Sequence, residues 1–277
     1  MSYPSLTSLQ LQPSDDGSIV HINLNHGRVN EMGSVELKDW EMLTAHLQNS
    51  AARALVTTSD KTTRSGKSIF IAGANVTERV DWNVDQVKAH VRWQRATLAA
   101  LRVAPVFHIV VVDGLALGWG TEFMIAADYR IATPNARFAL PETGIGILPG
   151  AGGTSELSRI IGPPQALRLG MTGEQIDAQE ALRIGLVDEL APTAEAAQER
   201  AMALASMAAK RSPTAVGAFK QGLLASLSMD EPSRRELEAQ AYELCVDAGE
   251  AAIGRSNFKA ITRGEAVAWG PRKPLDR

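Results

Sequence analysis

The chain has 277 residues, 45% of them hydrophobic and 21% charged, with a formal net charge of −3 and a pI near 6.0. That length and apolar content suffice for a full core, as one large α/β domain or a domain with a helical appendage, and the acidic balance gives no general attraction to nucleic acid or an anionic membrane. A single cysteine, Cys245, excludes an internal disulfide framework; the first 18 residues lack a basic n-region and an apolar h-region, and no run of about 18 apolar residues occurs, so a cytoplasmic protein without a membrane span is expected.

Residues 19–24, Ile-Val-His-Ile-Asn-Leu, alternate as a strand, and Asn25-His26-Gly27-Arg28 breaks it ahead of a helical pattern over 35–48. A second strand is predicted at 54–57, followed by a polar loop over 58–67. That loop runs into Ser65-Gly66-Lys67-Ser68, like the tail of a phosphate-binding loop, but the pattern needs glycine where Lys61 stands, which excludes a nucleoside triphosphate site. Ile69-Phe70-Ile71 then reads as a strand turning through Ala72-Gly73-Ala74-Asn75, small residues that let a backbone approach a ligand. By itself this heptapeptide is a plain strand end.

Val87, Val91, Leu98 and Leu101 predict an amphipathic helix over 85–102 with Trp93 near its apolar side, ahead of a strand at 106–112. His108 within that strand is expected to be buried with its hydrogen bond satisfied. No two histidines stand at HxxxH or HxH spacing, so no metal site of the usual kind is expected.

Two glutamates punctuate residues 113–153. Glu122 follows Gly118-Trp119-Gly120 and opens the apolar run Phe123-Met124-Ile125-Ala126-Ala127, the first turn of a buried helix, where free N–H groups stabilise anions, including those that form only during a reaction. Taken singly, Glu122, and Glu142 after Pro141, each read equally well as a first-turn acid complementing a helix. A helix is predicted from near 152 to 161, where Gly162-Pro163-Pro164 interrupts it. From 194 the pattern becomes almost wholly helical, over 194–210, 213–225, 233–244 and 250–263. The chain therefore divides into an α/β core over 1–195 and a helical region over 196–277, whose terminal GPRKPLDR is expected to be frayed or to lie across a neighbour.

Four of these segments, in order, resemble segments of the crotonase (enoyl-CoA hydratase/isomerase) superfamily. They are IVHINLNHGRVNEM, similar to its first strand and turn; Ile71 to Asn75, similar to AGAD; Asp113 to Glu122, similar to NGxAxGGGxE; and Phe138 to Thr154, similar to FxxPExxxGxxPGxGGT. The resemblance spans nearly the whole chain. It implies an α/β fold built as a spiral of ββα units, with an acyl-CoA site in the core and a helical C-terminal trimerisation region giving homotrimers or dimers of trimers.

Carried over residue by residue, it implies oxyanion-hole amides at Ala74 and Trp119 and catalytic carboxylates at Glu122 and Glu142, twenty residues apart as in the family's hydratases. Substrate contacts fall at Ala72, Gly73, Asn75 and Gly118 along the groove, and at Gly150 beside the acyl site. The implied reaction is reversible hydration of a 2-enoyl-CoA to a 3-hydroxyacyl-CoA. It uses no metal or redox cofactor, and CoA is part of the substrate. The chemistry fits: two amides stabilise charge passing through the thioester oxygen, and two carboxyl groups divide the work of base and acid on one water. Double-bond isomerisation and acyl-CoA hydrolysis stay open, since one oxyanion hole serves all three.

Several positions depart from the family pattern. Trp119 stands where glycine or alanine is usual, leaving open whether its indole packs in the core or reshapes the acyl pocket. Asn75 replaces a frequent aspartate, and Gly254, Phe258 and Arg263 only approximate a terminal GxxxFxxKR pattern. Arg28, Lys67 and Arg263 are candidates for the CoA phosphates, and Val80, Trp82 and Trp93 for bulky pocket walls.

Overall fold

The structure, a computed structural model, describes residues 3–275. β1 (Gln10–Pro13) and the alternating segment β2 (Ile19–Leu24) form an antiparallel pair, followed by α1 (Ser34–Asn49), β3 (Ala54–Ser59) and β4 (Ile69–Ala72). Next come α2 (Val84–Arg102), β5 (Phe107–Val112), β6 (Leu115–Leu117), α3 (Trp119–Ile125), β7 (Tyr129–Ala132) and β8 (Arg137–Ala139). After these lie α4 (Leu157–Thr172), β9 (Ile176–Asp177), α5 (Ala178–Arg183) and β10 (Glu189–Leu190). Five helices follow: α6 (Ala194–Ala209), α7 (Pro213–Ser226), α8 (Glu231–Asp247), α9 (Glu250–Ser256) and α10 (Phe258–Thr262).

One sheet has the order β1-β2-β3-β5-β7-β10 and the other β4-β6-β8-β9. Within them only β1 with β2 and β8 with β9 run antiparallel. Parallel neighbours require crossovers and bury both faces, which is why β3 is buried from Ala54 through Thr58 and β5 from His108 through Val112 with no alternation between faces. On one face Ala197, Ala201 and Ala205, spaced at four residues along α6, pack on Val56, Ile109 and Ile131. The opposite side holds the larger core with Trp40, Phe70, Phe123 and Phe138. Helix α2 starts where its cap dictates: Asn83 Oδ1 accepts from Gln86 N and Gln86 Oε1 from Asn83 N, both at 2.9 Å. Asn30 ties the end of β2 to β4, its Nδ2 donating to Leu24 O at 3.3 Å and Phe70 O at 2.8 Å.

Two predicted helices differ. The helix expected from near 152 to 161 begins at Leu157 and does not end at the prolines. Gly162 breaks it at φ 75°, ψ 156°, and Pro163-Pro164 then start a second segment that runs to Thr172. Proline's fixed φ suits a helix's first turn as well as it disrupts an interior. The segment over 250–263 is two helices, α9 and α10, divided at Asn257 with φ −105° and ψ 15°.

The terminal segment is not frayed over its described part. It docks on its own chain; Asp276 and Arg277 lie outside the described residues. Arg272 donates through Nη1 to Leu47 O at 2.7 Å, through Nη2 to Ala52 O and through Nε to Pro213 O at 3.2 Å. Trp269 Nε1 adds a bond to Lys210 O at 3.0 Å. Burial lowers the Arg272 pKa to about 10, with Arg53 adding to the effect. Arg272→Ala takes a charged donor from these carbonyls and is expected to destabilise the protein by about 1–3 kcal/mol in urea denaturation. A loss within about 0.5 kcal/mol, the range of ordinary surface changes, would show that the contact is not stabilising.

Candidate active site

β4 and β6 pair in parallel with Ala72 opposite Leu117, so the segments that leave them, carrying Ala74 and Trp119, start from the same end of the sheet. Met32 donates to Gly73 O at 3.1 Å and accepts from Asn75 N at 2.8 Å. It thus takes both groups that flank Ala74, and the Ala74 N–H has no part in that pairing. Trp119 is the first residue of α3, where an amide has no acceptor within the helix. Gly118, at φ 53° and ψ −118°, turns the chain from β6 into α3. Gly120 lets α3 lie directly on β4, since a Cβ there would sit 2.2 Å from Ile71 O.

Glu122, 3% exposed, lies one turn into α3. Its Oε1 accepts from Ala151 N at 2.7 Å and Gly153 N at 2.9 Å, which leaves Oε2 for other partners. The loop supplying those amides is held from α2, where Arg95 Nε donates to Gly150 O at 2.9 Å. Desolvation raises the Glu122 pKa to about 7; the Gly153 and Ala151 bonds pull it down, Glu142 pushes it further up, and Arg95 offsets that slightly. Glu142 stands in a 3₁₀ turn, Pro141–Ile145, that follows β8, and burial raises its pKa also. Its carboxylate lies over Gly118, where a Cβ would come within 2.7 Å of Oε1, and its buried Oε2 has no hydrogen-bond partner among the described residues. Ala74, Gly118, Trp119, Glu122, Glu142 and Gly150 therefore gather around the head of α3.

Other expected positions fare differently. Ala72 N bonds Val29 O at 3.1 Å, so Ala72, Gly73 and the exposed Arg28 share one strand end. The Asn75 side chain is spent on the following turn, its Oδ1 accepting from Thr77 N at 3.2 Å and Thr77 Oγ1 at 2.6 Å. Lys67 precedes β4 and so lies at the strand end opposite Ala74, while Arg263 pairs with Glu265 at 2.6 Å after α10. Neither joins the cluster. The Trp119 indole is 2% exposed and stacks on Phe123, centroids 5.5 Å apart at 29°, with Trp40 on the same ring at 4.8 Å; it packs in the core. Trp82 and Trp93 both meet the buried His90 edge-on, at 4.9 and 5.8 Å, and Val80 is 79% exposed, facing solvent rather than forming a wall. His108 Nε2 lies 3.0 Å from Thr57 Oγ1, but Nδ1 has no partner among the described residues, so its hydrogen bonding is only half satisfied. Arg95 and the Ala151 amide were not singled out from the sequence.

A family model described as enoyl-CoA hydratase/isomerase matches residues 16–261. The chain belongs to that family. It is 32% identical over 232 residues to a short-chain-enoyl-CoA hydratase of Clostridium acetobutylicum, covering 83% of this chain and 87% of that protein. The crystal structure of an enoyl-CoA hydratase from Bacillus anthracis superposes with a TM-score of 0.84 at 30% identity, covering 95% of this chain and 99% of the other. DspI of Pseudomonas aeruginosa gives a TM-score of 0.83 at 29% identity, over 97% and 99%. The α/β core and the helical C-terminal region are thus those of a crotonase fold, as the four sequence segments implied.

Proposed function

We propose that this member of the family hydrates a 2-enoyl-CoA reversibly to the 3-hydroxyacyl-CoA, with Glu122 and Glu142 as its catalytic carboxylates and the Ala74 and Trp119 amides as its oxyanion hole. The observation that carries the reading is the pair of carboxylates with raised pKa values, Glu122 buried and Glu142 half-buried, beside two amides at the head of α3. A thioester oxygen seated between those amides gains negative charge as water adds at C3, and one such donor is worth about 10²- to 10³-fold in rate. Glu122, anchored through Oε1, keeps Oε2 for the water and takes its proton. Glu142 gives a proton to C2, so the water oxygen bonds C3 and the enzyme regains its starting protonation by exchange with solvent. Ala72, Gly73, Gly118 and Gly150 line the groove by backbone, and CoA enters as part of the substrate with no further cofactor.

The helical region 196–277 is the assembly surface in this reading, giving a homotrimer or dimer of trimers. Phe219 on α7, Tyr242 on α8 and Phe258 on α10 are 74%, 72% and 66% exposed, which supports it. The lone cysteine supports a reducing, cytoplasmic setting. The test is loss of enoyl-thioester absorbance with crotonyl-CoA. Glu142→Gln is expected to slow it about 10²- to 10⁴-fold. Unchanged hydration in that variant would remove Glu142 from the chemistry, and migration of a 3-enoyl double bond without hydration would make the chain an isomerase.

A further inference from the structure

A cavity of about 550 Å³ opens immediately behind the loop that holds Glu122. Ala151 is part of its wall, and the same residue's amide bonds Glu122 Oε1 at 2.7 Å, so a single residue stands between the carboxylate and the cavity. Leu98 and Ala99 of α2, Ile125 at the end of α3 and Leu223 of α7 give it an apolar lining suited to methylene groups. Its charges are unbalanced, with Arg95, Arg102, Arg130 and Arg159 facing only Asp128 and Glu156.

The neutralised charges can be identified. Arg102 pairs with Glu156 at 3.0 Å, Arg130 with Asp188 at 2.8 Å, and Asp128 with Lys220 at 2.7 Å. Arg159 reaches Glu156 only at 3.9 Å, on a carboxylate already held by Arg102. Arg95 forms no ion pair among the described residues, and only its Nε is used, on Gly150 O. Arg95 lines the cavity from an exposed position, and its two terminal nitrogens keep the fork geometry that matches a carboxylate.

We propose that this cavity receives the far end of the acyl chain and that Arg95 selects substrates ending in a carboxylate, so that the preferred thioester is that of an unsaturated dicarboxylic acid. This rests on the acyl-CoA reading above. A plain hydrocarbon tail would fill the apolar walls but leave the Arg95 fork unpaired. The Arg102 ion pair at 3.0 Å offsets the repulsion of the Glu156 carboxylate for the incoming anion.

Calorimetric binding of saturated, unreactive thioesters tests the idea without depending on hydration. The pairs are glutaryl- and pentanoyl-CoA, adipoyl- and hexanoyl-CoA, and suberoyl- and octanoyl-CoA, each with wild type, Arg95→Met and Arg95→Lys. In wild type at least one carboxylated member should bind about tenfold more tightly than its methyl-ended partner, the scale of a charge-assisted hydrogen bond. That ratio should fall to about one in Arg95→Met and survive in part in Arg95→Lys. Binding without a preference for the carboxylate at any length overturns the inference and leaves the acyl-CoA reading intact. A preference that persists in Arg95→Met overturns the role of Arg95. Failure of every thioester and of CoA itself to bind overturns both readings.

Discussion

Replacing Glu122 with glutamine is expected to slow hydration of crotonyl-CoA by about 10²- to 10⁴-fold while the protein stays folded. The amide oxygen of glutamine still accepts from Ala151 and Gly153, so the loop keeps its anchor, but no carboxylate remains to take a proton from water. Stability separates this from a folding defect. In the folded chain the Glu122 pKa is raised, mainly by desolvation, from an ordinary 4.5 to about 7. Between those pH values the native state holds a proton that the unfolded chain has released, so stability falls as pH rises through the window and levels off above it. The cost of the buried carboxylate is on the order of 3 kcal/mol above pH 7. Glu122→Gln removes it and should therefore be more stable than wild type in urea at pH 8, with the advantage gone at pH 4. A variant both inactive and less stable at pH 8 would show that Glu122 is structural.

Gly120→Ala is expected to damage stability and rate together. A methyl group on α3 would ordinarily favour the helix by up to about 1 kcal/mol. Here it would meet Ile71 O at 2.2 Å and Ile71 Cβ at 3.0 Å, both on a buried strand that cannot yield. Overpacking of this kind costs about 1–3 kcal/mol or more, so the clash outweighs the propensity. Because Ile71 lies on β4 and Trp119 adjoins Gly120, relief of the clash separates the Trp119 amide from the Ala74 amide. Loss of one oxyanion donor corresponds to a fall of about 10²- to 10³-fold in kcat. Thermal denaturation and kcat on crotonyl-CoA measure the two effects, and wild-type values for both would show that the approach of α3 to β4 does not hold the site.

The features legible in the sequence were those carried by contiguous residues. The alternation of Ile19–Leu24, the period of α2 and the apolar run after Glu122 each express one element's own burial, and the structure keeps all three. β6, β8 and β9 have three, three and two residues, too few for any period, and their pairing comes entirely from neighbours. The Gly162-Pro163-Pro164 break was visible, but not that the prolines also begin the next segment. The destination of the Trp119 indole depends on Phe123 and Trp40, which meet it only through the fold. Arg95 was illegible for the same reason: it sits on an exposed helix face, and its partner, Gly150, is 55 positions away.

The Arg272 contact with Leu47 O spans 225 residues, close to the full length of the described chain. Parallel strands already make the fold slow to search, since each neighbour must be brought back over a crossover. The strap adds a contact whose closure entropy is recovered only after the end of α1 and the turn into β3 have placed the carbonyls it grips. During synthesis, residue 272 emerges long after those carbonyls, so the seam beside Ala52 stays open until that residue has been made. Quality control that samples half-made chains would find that seam, and a nascent chain stalled before Trp269 would present it for as long as the stall lasts.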